Sequence, residues 1–182
     1  MDRRQRKTKE AILNAFSDLL SQKQYHQITV GDIITAADIG RATFYAHFET
    51  KDALLKEFCQ ELFCHIFDTL DPSSAPHKHI FDCNGSASPF LHLFEHIRNN
   101  DRQLLSLSSS YNNDLFLSAF KSGLIELLDH LPLSDLRRDS RLPDSFWKNH
   151  VASTFVETLR WWIQNGKQES PEQLADYFHS VV

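Results

Sequence analysis

The sequence predicts an all-α protein in which an N-terminal three-helix head precedes a larger helical body, with about nine helices in total. Apolar residues recur at intervals of three and four along most of the chain, and strand-like alternation persists in no segment. Gly and Pro number only five and six among 182 residues, which favours helices over turn-rich β structure. The predicted boundary separates a helix-turn-helix domain, residues 1–50, from a second helical domain, residues 51–182.

The first four helices follow from their apolar stripes and their caps. Periodic apolar residues predict a first helix over 7–22. Thr29 and Asp32 have the spacing of a capping box and predict the start of a second helix. Asp38, Ile39 and Gly40 form the predicted turn, because Asp tolerates and Gly readily adopts the left-handed backbone region. A short helix over about 41–47 follows, and Thr50 caps a long fourth helix.

Helix-breaking residues and helix caps also divide the second half of the chain into elements. Pro, Gly and Ser in 71–87 predict an irregular connection, and Ser88 followed by Pro89 predicts the next helix start. A short helix is predicted from Asp101 and a longer one from Asn112/Asn113 to Leu131, before a loop over 132–142. Two final helices are expected, one over about 143–165 that Gly166 stops and one that begins at Ser170-Pro171.

Composition and motifs exclude several protein classes. No apolar run approaches the ~18 residues that cross a bilayer, so no membrane partner is expected, and no apolar segment follows the charged N-terminus as in a signal peptide. Cys59, Cys64 and Cys83 are odd in number and lack CxxC spacing, which indicates reduced thiols and a cytoplasmic location. The sequence contains no nucleophile elbow, phosphate-binding loop, HExxH helix or acid pair, so we expect neither an enzyme nor a cofactor.

The net charge of −5 is unevenly distributed along the chain. Residues 1–51 carry eight Lys or Arg against six Asp or Glu, whereas residues 52–182 carry eleven against eighteen. A basic tip on an acidic body suits a nucleic-acid-reading head on a body that binds a ligand or partner. Charge alone equally suits a solvated tail.

The segment from Ile28 to Leu55 has the pattern of a helix-turn-helix, in which one helix braces a second that enters the DNA major groove. The predicted bracing residues are apolar: Val30, Ile33, Ile34, Ile39, Phe44 and Phe48. The second helix then exposes a set of mainly polar side chains: Arg41, Ala42, Thr43, Tyr45 and His47.

These exposed residue types suit DNA contacts of two kinds. Arg41 can bond guanine bidentately, and Ala42 or Thr43 can touch a thymine methyl group. Tyr45 and His47 suit phosphate contacts, although in an anonymous helical hairpin they could equally pack between helices. Two helix starts, at Thr29 and Lys51, can offer free amides to phosphates. The predicted N-terminal arm, which would follow the DNA backbone or minor groove, contains Arg3, Arg4 and Arg6.

The run TVGDIITAADIGRATFYAHFETKDALL resembles the DNA-binding domain of TetR-family transcriptional regulators. The resemblance covers roughly residues 7–56 and rests on the residues Thr29, Ile33, Ala37, Thr43, Phe44, Tyr45, His47, Phe48, Lys51, Leu54 and Leu55. Three positions depart from the family pattern. Asp38 replaces the usual turn Gly, Gly40 replaces the usual capping Ser, and Ala46 stands where a basic or polar residue is common.

The resemblance implies a homodimer in which the last two long helices pair with those of a second subunit. Such a regulator reads a near-palindromic double-stranded DNA operator with two heads. The predicted interface stripe on the penultimate helix consists of Phe155, Leu159, Trp162 and Ile163. The alternative is that this stripe serves only the core of its own chain.

The resemblance also implies a body that responds to a small-molecule or protein effector. The predicted pocket lies between the fourth helix and the helices around 90–125 and 147–162, and its aromatic lining is Phe63, Phe67, Phe94, Tyr111, Phe116, Phe120 and Trp161. Cys64, His92 or His96 would supply polar contacts. Aromatic residues at helical spacing equally suit a plain hydrophobic core.

A metal site is not predicted. His92 and His96 share one helical face, and His77 and His79 lie in the preceding connection, but no Cys or carboxylate motif completes a zinc-binding set. The sequence therefore predicts a sequence-specific DNA-binding regulator, with repression as its expected output. The alternative is a helical adaptor that acts through a protein partner, without DNA binding or a small-molecule effector.

Overall fold

The computed structural model describes residues 3–70, 88–99, 113–130 and 141–182. Eight α-helices occupy these ranges: α1 Arg3–Gln22, α2 Val30–Ala36, α3 Arg41–His47, α4 Lys51–Leu70, α5 Pro89–Asn99, α6 Asn113–His130, α7 Asp144–Gln164 and α8 Pro171–Val181. A single 3-10 turn, Tyr25–Gln27, lies between α1 and α2. No strand occurs in the described ranges, and the all-α prediction is confirmed.

Some predicted elements cannot be compared with the described residues. The connection at 71–87, the helix from Asp101 and the loop up to residue 140 lie outside them. Within the described ranges, no helix combines the length and apolar character that crossing a bilayer requires.

Two predicted helix boundaries in the body, the end of α7 and the start of α8, are confirmed by their caps. Ser170 Oγ accepts a bond from Gln173 N at 3.3 Å, and Gln173 Oε1 accepts one from Ser170 N at 2.9 Å, with Pro171 at the first helical position. At the end of α7, Gly166 adopts a positive φ of 73°. The amide of Lys167 then donates to the carbonyl of Trp162 at 2.9 Å, which closes the helix.

One aromatic core joins α1, the 3-10 turn and α4 in the N-terminal part of the chain. The Phe16 ring lies edge-on to Tyr25 at 6.2 Å and to Phe58 at 5.7 Å between centroids. Ile33 of α2 and Phe44 of α3 are fully buried in the same hydrophobic cluster. The first turns of α4 therefore complete the core that holds α2 and α3 in place.

The body is built around a second group of aromatic rings, contributed by four helices. Phe155 of α7 stacks on Phe94 of α5 at 4.4 Å and lies 6.0 Å from Phe120 of α6. Phe178 of α8 approaches Phe90 at 4.6 Å. Burial of such large apolar rings is the main stabilising contribution to a helical domain of this kind.

The residues of the predicted dimer stripe pack against the core of their own chain. Phe155, Leu159 and Trp162 are each at most 1% exposed within the single chain, and half-buried Ile163 packs against the same core. Trp162 Nε1 also donates to the carbonyl of Glu169 at 3.0 Å. A helical stripe shows that one face is buried but not which partner buries it, and here the partners of Phe155 are α5, α6 and α8 of its own chain.

Candidate nucleic-acid interface

A reciprocal capping box fixes the start of α2, as predicted. Thr29 Oγ1 accepts from Asp32 N at 3.1 Å, while Asp32 Oδ2 accepts from Thr29 N at 2.8 Å and from Thr29 Oγ1 at 2.7 Å. Lys23 Nζ adds a bond to Asp32 Oδ1 at 3.0 Å, a contact that the sequence analysis missed. The Thr29 hydroxyl and amide, followed by Lys23, lower the pKa of Asp32 to about 2.

The turn between α2 and α3 depends on Asp38 rather than on Gly40. Asp38 has a φ of 51°, in the left-handed region, whereas Gly40 has a φ of −79° and is the residue before α3. The expectation that Gly40 supplies a left-handed conformation is therefore wrong. Gly40 stands at the N-cap of α3, the position at which the family pattern has a capping Ser, and no side chain caps the helix.

The second helix of the motif, α3, has one buried face and one exposed face. Phe44 and Phe48 are buried, and Ile33 of α2 lies under them in the same core. Arg41, Ala42 and Tyr45 are exposed, whereas Thr43 and His47 are half-buried. Three of the five side chains predicted to be exposed are exposed, and Tyr45, at 49% exposure, can reach a ligand outside the protein.

Lys51 is engaged within the protein rather than directed outward. Its ammonium donates to the carbonyls of Tyr25 and Ile28, each at 2.8 Å, and lies 4.1 Å from the centre of the Tyr25 ring. Partial burial lowers its pKa. The hydroxyl of Tyr25 also donates to Asp52, and burial together with Asp52 raises the Tyr25 pKa. The Lys51 side chain therefore anchors α4 to the segment that leads into α2.

The basic N-terminus is helical, not a flexible arm. The first helix begins at Arg3 instead of residue 7, because the polar residues 3–6 extend it by one turn. Arg3, Arg4 and Arg6 are exposed, and Arg6 pairs with Glu10 at 3.6 Å. A shallow depression is lined by this end of α1 and by Ile39 of the α2–α3 turn. The basic tip therefore lies beside the helix-turn-helix.

The predicted effector pocket is not assembled as a single cavity by the described residues. Phe94, Phe116 and Phe120 are buried at 0–2% exposure within the body core. Trp161 is 43% exposed and contacts the ring of Tyr177, so its place in an internal pocket is wrong. Tyr111 and the Phe67 side chain lie outside the described residues.

A cleft does lie between α1, α4 and α6, and it includes one predicted pocket residue. It measures about 460 Å³, and its wall contains Phe63 together with Cys64, which was predicted as a polar contact. Most of its charged lining is acidic: Glu57, Glu61, Asp68 and Glu126, against Lys9. Lys9 bonds to Glu57 and lies 3.4 Å from Glu61, so the cleft floor joins α1 to α4.

Two family models match the chain. Residues 8–58 match the model of bacterial regulatory proteins of the TetR family, and residues 84–182 match the model of a TetR-type transcriptional regulator C-terminal region. The first match covers the capped α2, the Asp38 turn and α3. The second covers α5 to α8.

Individual proteins and structures agree with these models. The chain is 27% identical over 179 residues, 98% of its length, to the uncharacterized regulator YxbF of Bacillus subtilis, and 38% identical over 61 residues to DhaS, the dhaKLM operon activator of Lactococcus lactis. It spans 45% and 33% of these two relatives. A TetR regulator structure from Streptococcus agalactiae 2603V matches the whole chain and 96% of that protein, at 33% identity and a TM-score of 0.68. The chain belongs to the TetR family of bacterial transcriptional regulators.

Proposed function

We propose that the protein is a sequence-specific DNA-binding transcriptional regulator that binds a near-palindromic operator as a homodimer. The observation that carries this proposal is the outward face of α3, where Arg41, Ala42 and Tyr45 are exposed beside the basic tip of α1. Both surfaces belong to an otherwise acidic chain. Concentrated positive charge next to an exposed recognition helix is typical of DNA-reading domains.

Each exposed group has a separate role in this proposal. Arg41 reads a base edge, with Ala42 and Thr43 beside it for apolar contacts. Tyr45 and His47 contact phosphates and set the register, as do the free amides at the starts of α2 and α4, next to Thr29 and Lys51. Arg3, Arg4 and Arg6 contact the DNA backbone from the first turn of α1.

Dimerisation uses the outward faces of α7 and α8 in this proposal, instead of the buried stripe. Trp161 on α7 and Tyr177 on α8 are 43% and 49% exposed, and their ring centroids are 6.3 Å apart. Val181, one turn beyond Tyr177, is 64% exposed. Large aromatic side chains in a cluster are enriched at protein interfaces, and a two-fold operator requires two heads.

The regulatory signal passes through α4. This helix is tied to the head by Lys51 and forms one wall of the acidic cleft further along. An effector or partner that prefers one position of α4 would shift the spacing of the two heads, with about 1–3 kcal/mol of coupling. Repression remains our expected output, although DhaS is named an activator.

Selection from random duplex DNA with the purified chain tests the proposal. We expect enrichment of an inverted repeat, and a binding constant that falls steeply as salt rises because phosphate contacts release counterions. Arg41→Ala should relax base preference and cost about 1–3 kcal/mol at the contacted base pair. Tyr45→Phe should weaken binding to all sequences alike.

Arg98→Ala is the matched control, because Arg98 is exposed on α5, away from the helix-turn-helix. It removes the same charge and should leave the selected motif and its affinity unchanged. If no sequence is enriched, or if Arg41→Ala and Arg98→Ala have equal effects, then α3 is not the reading helix and a helical adaptor becomes the better assignment.

A further inference from the structure

Three histidine side chains meet in the interior where α4 packs against α5. His65 comes from α4, whereas His92 and His96 lie one turn apart on α5 and share one face. The three residues are 5%, 1% and 2% exposed. One ligating atom from each lies within 4.8 Å of the others. His77 and His79, which the sequence suggested as companions of His92 and His96, lie outside the described residues, and His65 was not predicted.

The nitrogen positions are close to those of a tetrahedral metal site. Nε2 of His92 and Nε2 of His96 are 3.1 Å apart. Two imidazole nitrogens that bind Zn²⁺ at ~2.0–2.1 Å with tetrahedral angles are separated by about 3.3 Å. The ligating nitrogen of His65 lies within 4.8 Å of the other two, so a shift of at most about 1.5 Å brings it to ligand distance.

The chemistry of the three rings is that of a transition-metal site. Burial, together with the charge of neighbouring histidines, lowers the pKa of His92 and of His96 to about 4. Both imidazoles are therefore neutral at physiological pH, which is the form that binds metal. Neutral imidazole favours Zn²⁺, Cu²⁺, Fe²⁺ and Ni²⁺ over Mg²⁺ or Ca²⁺.

We propose that His65, His92 and His96 form a binding site for one divalent transition-metal ion, with Zn²⁺ as the preferred ion. Three protein ligands leave a fourth position for water or an exogenous ligand. Because one ligand comes from α4 and two come from α5, the bound ion fixes α4 against α5. The test measures metal binding alone, so it does not depend on the function proposed above.

The test uses the full chain without a polyhistidine tag, freed of metal by a chelator and titrated with Co²⁺. We expect one Co²⁺ per chain, with the strong visible absorption of four-coordinate cobalt, displaced by one equivalent of Zn²⁺. Zn²⁺ should also raise the thermal midpoint. His65→Gln and His92→Gln should each weaken binding at least about 100-fold.

Two control variants separate this site from the other histidines of the chain. His150→Gln changes an exposed histidine on α7, and the double variant His77→Gln/His79→Gln removes the remaining pair that the sequence suggested. Both should keep wild-type affinity. If a site variant fails to fold, X-ray absorption at the zinc edge is measured on the wild-type protein instead. Three imidazole ligands are then expected.

The proposal is overturned by any of three results. These are the absence of stoichiometric binding, equal weakening in a control variant, and a bound zinc with fewer than three imidazole ligands. Any of them would leave the three histidines as a hydrogen-bonded part of the core.

Discussion

Gly123 sets the distance between α4 and α6 through the side chain that it lacks. A Cβ atom at this position would lie 2.3 Å from Cδ2 of Phe63, far inside van der Waals contact. The Phe63 ring is itself buried and packs at 5.0 Å on Phe120. The close approach of the two helices thus places ring atoms of Phe63 where the side chain of any larger residue at position 123 would begin.

Gly123→Ala should therefore destabilise the protein by about 1–3 kcal/mol, the usual cost of overpacking a core. The expected sign of this change in stability is informative, because helix propensity alone would favour alanine over glycine by about 1 kcal/mol. Urea denaturation of the two proteins measures the difference. Gly31→Ala is the control, since a Cβ there meets only Thr29 Oγ1 at 3.5 Å.

The control should be neutral or stabilising. Phe63→Leu should restore part of the lost stability in the Gly123→Ala background, because the smaller side chain makes room for the new methyl group. A Gly123→Ala protein as stable as wild type would show that α4 and α6 can separate at little cost.

Lys51 has a structural role that its position in the family pattern does not reveal. Lys51→Ala should lower the free energy of unfolding by about 1–2 kcal/mol, because it removes two charge-assisted bonds to the carbonyls of Tyr25 and Ile28. DNA affinity should fall on all sequences as a consequence. Thermal unfolding and binding are measured together, with exposed Lys56→Ala as the control. Weaker DNA binding at unchanged stability would instead assign the ammonium to a phosphate.

At the level of the element, the capping box of α2 makes the stability of the N-terminal helices depend on pH. The pKa of Asp32 lies near 2 in the folded chain and near 3.8 otherwise. Its contribution is therefore complete above about pH 4 and is lost as the pH falls toward 2. The urea midpoint of the wild type should exceed that of Asp32→Asn at pH 6, and the gap should close by pH 2.

Asp18→Asn in α1 serves as the control for loss of an exposed carboxylate. Its urea midpoint should follow the wild type across the same pH range. If the Asp32→Asn protein loses stability with acid as steeply as the wild type, then another carboxylate governs the acid response.

Helix ends were predictable from the sequence because their signals are local. Thr29 with Asp32, Ser170 with Pro171, and Gly166 each lie within a few residues of the backbone groups that they cap or release. The start of α1 was misplaced because residues 3–6 carry no apolar stripe. The run of charged residues was interpreted as a flexible tail, although polar residues also form exposed helical turns.

At the scale of the whole molecule, the partners of buried faces were not predictable. The stripe through Phe155 was recognised as buried but assigned to a second subunit. His65 was missed because it lies 27 residues before His92, and only the packing of α4 on α5 brings them together. Helical periodicity gives the direction in which a side chain leaves its helix. It does not identify the other helix that packs against that side chain.

The proposed dimer interface can be tested through the exposed aromatic pair, Trp161 and Tyr177. The double variant Trp161→Glu/Tyr177→Glu should be monomeric in sedimentation experiments and should bind a single half-site weakly. Leu142→Glu introduces one negative charge at another exposed apolar residue and should remain dimeric. A dimeric double variant with an intact fold would place the interface elsewhere.

The stacked rings of Phe94, Phe120 and Phe155 have a consequence for ligand affinity. The rings stack on one another among the described helices, so a molecule can enter between them only after these helices have moved apart. Such a molecule would bind the open minority of the population, and its apparent dissociation constant would exceed the intrinsic one by the reciprocal of that fraction. A substitution that loosened the packing of the rings would therefore lower the apparent dissociation constant, even if the substituted residue did not contact the ligand.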